Sequence, residues 1–513
     1  MQVLDAPKAL PAAADVHAIL NRRLLADGYK MVLDMDESRG VYLRDAVTGR
    51  DYVDLFTFYA SNPLGMNHPG LAGPSPEAEA FRARIMDAAL NKVANSDIYT
   101  PHFARFVDTF ERVAVPPQMT HAFFVSGGAL AVENALKVAF DWKSRKNETA
   151  GRSASGGQVL HFRQSFHGRS GYTMSLTNTD PNKVARFPKF DWPRVSNPVI
   201  RHGDGLADVE AREAQAVAEI KEAFRQRPHE IAAIILEPIQ GEGGDNHFRP
   251  QFFQALRDLA DENEALLVFD EVQTGVGLTG AMWAWQGIGV APDVMAFGKK
   301  TQVCGILAGP RVDEVDDNVF QKSSRINSTW GGNLVDMVRF DRILEIIEQD
   351  DLVANAQRQG EHLLKRLGAM AERFPGVVTH PRGRGLMCAF DLPSAAVRND
   401  VVSRSFDDGA IVLGCGERTV RFRPALTVTA EGQAPSDNSQ SASFGGEAAW
   451  RDLLFVRGGY RQAFSAEAQD GGWAVGLGLQ YELSPTAAVS FDYVFQEYEP
   501  FGTPQMFSLG LSF

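Results

Sequence analysis

Two strand-terminal residues give the first chemical signal in this 513-residue sequence. The apolar run Leu266-Leu267-Val268-Phe269 ends in Asp270-Glu271, and Val294-Met295-Ala296-Phe297 ends in Gly298-Lys299. A carboxylate at the end of one buried strand and an amine at the end of the next suit a pyridoxal phosphate site. The aldehyde needs a lysine amine, and the ring nitrogen needs a carboxylate to stay protonated and electron-withdrawing. Lys299, partly desolvated, would have a lowered pKa and could shuttle a proton between two carbons. Taken singly, an acidic strand end and a surface lysine are ordinary. A third feature shifts the balance: Phe124-Val125 runs into Ser126-Gly127-Gly128-Ala129 and then into helical sequence. Two glycines permit the backbone that turns N–H groups inward, and the positive helix end completes an anion site for a phosphate.

Other motifs carry less. Gly275-Val-Gly277-Leu-Thr-Gly280 has the spacing of a dinucleotide fingerprint, but the preceding strand ends in Asp270 and Glu271, which would face a pyrophosphate, and the glycines start several residues later. His161 and His167 lack metal-ligand spacing and suit core or supporting roles; no metal is expected. Asn327-Ser328-Thr329 fits a glycosylation acceptor, but no secretory layout is visible at the front of the sequence.

The elements that must position these groups alternate. Strands are predicted over 122–125, 158–162, 231–236, 266–269 and 294–297, and helices over 129–146, 208–226, 250–262 and 332–348. This is an α/β pattern, in which chemistry gathers at the carboxyl ends of the strands. Composition agrees with a globular enzyme: 22% charged, 44% hydrophobic, and 51 Lys+Arg against 64 Asp+Glu, a net charge of −13 that disfavours nucleic-acid binding. Cys304, Cys388 and Cys415 are odd in number and far apart, so they read as buried thiols in a reducing, cytoplasmic setting.

The segments FFVSGGALAVENALKVAFDWKSR, EPIQGEGGDNHFRPQFF, FDEVQTGVGLTG, APDVMAFGKKTQVCG, NSTWGGN, PRGRGLMCAF and TVRFRP are similar to those of the class III, fold-type I pyridoxal-phosphate aminotransferases. Within that family, Leu278 and Leu130 stand where the common pattern has an arginine and an acidic residue, departures shared by the lysine-specific branch. The resemblance implies a large mixed-sheet domain and a smaller α+β domain. It also implies Lys299, not Lys300, as the Schiff-base lysine, with Asp270 on the pyridinium, Gln273 on the ring hydroxyl and Phe166 over the ring face. Gly128 and Ala129 would hold the phosphate through N–H groups, and Thr329 would reach the phosphate of a neighbouring subunit, making the protein a homodimer with shared sites. The implied reaction moves the ε-amine of L-lysine to 2-oxoglutarate, giving 2-aminoadipate 6-semialdehyde and glutamate. Ornithine or 4-aminobutyrate as donor is the alternative. Arg169 would hold the distal carboxylate of both substrates, and Arg421 the 2-oxoglutarate carboxylate beside the carbonyl. With lysine bound Arg421 would be an unpaired charge, so Glu242, on a glycine-rich loop, would pair with it and move aside when the oxoacid arrives.

The expected domains are an N-terminal segment of the small domain at 1–60, a large cofactor domain at 61–335 and a truncated C-terminal small domain at 336–429. A linker at 430–451 and β-strands at 452–513 follow. The last stretch has no Lys, His or Cys and alternates with period two, as in Trp473, Val475, Leu477, Leu479 and Tyr481. It resembles the last strands of an outer-membrane barrel, and only if those strands are genuine is a membrane partner expected. Four strands, at 452–461, 472–482, 487–496 and 505–513, cannot close a barrel, for which about eight are needed. The chain is therefore read as a chimera: an enzyme fused to an unrelated antiparallel β segment, with a non-enzymatic barrel fragment as the opposing reading.

Overall fold

A computed structural model describes residues 10–429 and, beyond them, the backbone of five strands between 441 and 512. Contacts divide the chain into two units, 1–428 and 429–513.

The first unit is built on a seven-stranded sheet. In chain order its strands are β1 His121–Val125, β2 Gln158–Phe162, β3 Arg194–Val195, β4 Ile231–Leu236, β5 Leu266–Asp270, β6 Val294–Phe297 and β7 Cys304–Ala308, arranged β1-β7-β6-β5-β4-β2-β3. Pairings are parallel except at β7, which runs antiparallel to β1 and β6. Every residue of β4 through β7 is buried, which is why these strands read as continuous apolar runs rather than alternating ones. Helices cover both faces, among them α1 Gly128–Thr149, which lies over β4, β6 and β7. Two separate apolar clusters, one built around Phe106, Phe110, Phe269 and Phe297 and the other around Ala135, Trp142, Val268 and Ile306, fill the spaces on either side.

Two four-stranded sheets lie beside this layer. One joins Leu33–Arg39, Tyr42–Asp45 and Asp51–Asp54 to Ala410–Ile411, so residues from both ends of the unit share it. The other joins Thr379–Arg384, Met387–Asp391, Thr419–Phe422 and Leu413–Cys415. All three cysteines are free and buried. Among the described residues no helix is long and apolar enough to cross a membrane.

One segment departs sharply from ordinary backbone. Thr57, Phe58, Tyr59 and Ala60 have φ of 40°, 53°, 61° and 66°, a left-handed turn without a glycine. Each such residue costs about 1–2 kcal/mol, and specific bonds hold the turn. Asp54 Oδ1 accepts the N–H groups of Phe56 and Thr57, and the Thr57 hydroxyl donates to the carbonyl of Arg423 at 2.6 Å.

The second unit is an antiparallel meander of five strands, Ser441–Trp450, Leu454–Ala463, Gly472–Ser484, Ala487–Gln496 and Gln505–Ser512. This corrects the expected four. The stretch assigned to the linker contains the first strand, which pairs in unbroken register with the second. Its sequence, SASFGGEAAW, has only two large apolar residues and hides the alternation among small ones. The end residue Phe513 lies outside the described residues. The first and last strands each have one neighbour in the sheet, so it is open.

Candidate active site

The site lies where β5, β6 and α1 end or begin. Because β5 and β6 are parallel neighbours with Asp270 opposite Ala296, the end of one strand delivers Asp270 beside the turn that carries Lys299. Asp270 is buried and held from two sides: His167 Nδ1 lies 2.8 Å from Oδ2, and the Val272 N–H donates to Oδ1 at 3.0 Å. His167 thus supports the carboxylate.

Lys299 has a positive φ of 54°, which sets its side chain apart from that of its neighbour. Burial lowers its pKa, Arg421 and Arg423 push the same way, and Asp270 and Glu237 oppose them; the amine falls to about 8. Above pH ~8 it is a free base, where an ordinary lysine stays protonated to about 10.4. Competitive acetylation of cofactor-free protein, read as the signal lost in Lys299→Ala, is therefore expected to rise with pH to a midpoint near 8. A midpoint above 10 overturns this. Lys300 is fully buried, and its Nζ donates to the carbonyls of Gln273 at 2.7 Å and Ala60 at 3.3 Å, tying the left-handed turn to the Asp270–Gln273 segment.

At the start of α1, Gly127 has a φ of 111° and no side chain caps the helix, so the first N–H groups remain open to a ligand. A Cβ added at Gly127 would meet nothing within 4 Å. Gly168 is different: a Cβ there would stand 2.5 Å from that of Ala129, so only glycine lets the Phe166–Arg169 segment approach the helix start. Phe166 is half-buried, its N–H donating to Glu237 Oε1 at 2.9 Å. Gln273 accepts from Arg423 Nε at 3.1 Å and from Nη2 at 3.0 Å. Arg423 in turn forms a buried ion pair with Asp245.

Arg421 sits in the strand Thr419–Phe422, paired on one side with Ala389 and on the other with Leu413. Its side chain is 2% exposed; Nη2 meets Glu242 Oε2 at 2.8 Å, while Nε and Nη1 are buried without a partner among the described residues. The other Glu242 oxygen, Oε1, is paired with Lys183. Burial pushes the Glu242 carboxyl up, but Arg421 and Lys183 more than offset it and hold it below the usual range. Arg169 is exposed, beside the buried Gly168. Thr329 is also exposed, its carbonyl bound by Ser96 Oγ at 3.2 Å.

Three groups in this site carry no local sequence signal strong enough to assign: Lys183, Glu237 and the Asp245–Arg423 pair. Glu237 comes nearest to one, since it follows a buried strand just as Asp270 ends one, but a single acid after a strand does not by itself mark a site. Burial first, and then Asp270, push its carboxyl well above the usual range.

The buried carboxylate, the amine with a lowered pKa and the uncapped helix start beside two glycines together fit pyridoxal phosphate. Residues 24–436 match the family described as aminotransferase class-III. The chain belongs to that family. It is 59% identical to the L-lysine-epsilon aminotransferase of Mycobacterium tuberculosis over 415 residues, 81% of this chain and 92% of that one. The corresponding protein of Amycolatopsis lactamdurans is 54% identical over 434 residues, 83% and 96% of the two chains. A solved structure of the lysine aminotransferase from M. tuberculosis in the internal aldimine form superposes with a TM-score of 0.80 at 57% identity, covering 82% of this chain and 96% of that one. This class III aminotransferase therefore has the fold-type I architecture and works with pyridoxal phosphate.

Proposed function

We propose that this enzyme transfers the ε-amino group of L-lysine to 2-oxoglutarate, giving 2-aminoadipate 6-semialdehyde and glutamate. The observation that carries the reading is the Glu242–Arg421 pair. A transaminase for an ω-amine must present an uncharged wall to the methylenes of one substrate and a cation to the inner carboxylate of the other. A buried guanidinium masked by a loop carboxylate, with Nε and Nη1 unpartnered among the described residues, supplies both states. The names of the relatives that are more than half identical support lysine as the donor.

When bound, pyridoxal phosphate supplies the carbonyl that carries the amino group and a ring that withdraws electrons. Asp270 would keep the ring nitrogen protonated, and His167 fixes the carboxylate that would do so. The N–H groups of Gly128 and Ala129 would hold the phosphate, Phe166 would cover the ring face and Gln273, fixed by Arg423, would meet the ring hydroxyl. Lys299 would anchor the cofactor, and once released its Nζ, whose affinity for a proton burial lowers, would be the base that accepts the proton of the donor carbon. Arg169 holds the distal carboxylate of either substrate.

The enzyme works as a cytoplasmic homodimer on this reading. Thr329 and Trp330 are exposed on one loop, as a residue reaching a neighbouring site requires, and three free buried thiols suit a reducing compartment. Amino-donor profiling with 2-oxoglutarate as acceptor tests the substrate: kcat/KM for L-lysine is expected to exceed those for ornithine and 4-aminobutyrate by at least about tenfold. Equal values for lysine and ornithine would remove lysine from the assignment.

A further inference from the structure

Glu242 has two oxygens and two cationic partners. Arg421 is the buried one. Lys183, on the short helix Pro181–Val184, holds the other oxygen and also stands 5.6 Å above the Phe166 ring. No other charged side chain pairs with Glu242 among the described residues.

We propose that Lys183 is a positioning residue that retains Glu242 when 2-oxoglutarate displaces it from Arg421, and so favours the oxoacid half of the reaction. The inference rests on the reading above. A carboxylate that leaves Arg421 in this half-buried place would face the cost of a charge with no partner, which in a desolvated site is large. Because Lys183 already holds Oε1, Glu242 can swing off Arg421 about that anchor without ever losing both partners. The Lys183 stem is half-buried and its ammonium lies over an aromatic face, which limits where the anchor can move. With lysine bound, Glu242 stays on Arg421 and the anchor is not called on. The effect of Lys183 is therefore unequal between the two substrates.

The test uses the loaded full-length enzyme and two readouts. In single-turnover half-reactions, the ratio of kcat/KM for 2-oxoglutarate to that for the amine donor is expected to fall about tenfold in Lys183→Met and to recover to within about twofold in Lys183→Arg. In equilibrium titrations with glutarate, a dicarboxylate without a carbonyl, Kd is expected to rise about tenfold in Lys183→Met. In a Glu242→Gln background, which leaves no displaced charge to retain, Lys183→Met should change neither quantity further. An unchanged ratio with unchanged glutarate binding overturns the proposal. So does an equal fall in both half-reactions, which is the mark of a merely structural loss. A wild-type enzyme that prefers another ω-amine overturns the functional reading instead; with that amine as donor the same ratio still decides the role of Lys183.

Discussion

Replacing Lys299 by alanine is expected to lower transamination by at least about 10⁴-fold, the scale on which a residue acting both as nucleophile and as proton carrier is lost. The cofactor should also become removable by gel filtration. Lys300 offers no rescue despite being the next residue in the chain, because its Nζ is enclosed and committed to two carbonyls. Initial rates with lysine and 2-oxoglutarate, and the absorbance left with the protein after filtration, check the result. Activity within tenfold of wild type would place the anchoring amine elsewhere.

The second large effect concerns stability. Arg423 and Asp245 form an ion pair with side chains only 0% and 1% exposed, and the same guanidinium fixes Gln273. Removing one partner strands the other charge in the interior, at a cost of about 3–5 kcal/mol. Asp245→Asn is expected to lower the urea midpoint by a corresponding amount and to loosen cofactor binding through Gln273. The double replacement Asp245→Asn with Arg423→Met should lose less than the single one, since no uncompensated charge remains. A loss below about 1 kcal/mol in Asp245→Asn would show that the pair is hydrated, not buried.

What was legible in the sequence followed from locality. The runs 231–236 and 266–269 are uninterrupted because parallel strands covered on both faces need apolar residues at every position. Asp270 and Lys299 stand out because each breaks such a run at its carboxyl end, and Gly127-Gly128 because the turn before a helix demands that backbone. Arg169, Glu242, Arg421 and Thr329 were legible only through family resemblance, since an exposed arginine or a loop acid has no distinguishing pattern. The Glu242–Arg421 pair was legible through that resemblance, but the pairs Lys183–Glu242 and Asp245–Arg423 were not legible at all. Lys183 and Glu242 are 59 residues apart and Asp245 and Arg423 are 178 apart, so no periodicity links them and only the folded chain brings them together. The first strand of the C-terminal meander escaped for another reason: glycines and alanines occupy the positions where alternation would show.

The adjacency of Lys299 and Lys300 bears on how a protein can hold two identical nucleophiles side by side and expose only one to an aldehyde. Burial, with the positive charges of Lys299 and Arg423, drives Lys300 well below the ordinary lysine range. Its selectivity is one of enclosure. Two carbonyl oxygens engage the Lys300 amine and a left-handed turn closes over it, so the choice between neighbouring amines is made by the architecture of acceptors around each and not by their intrinsic reactivity.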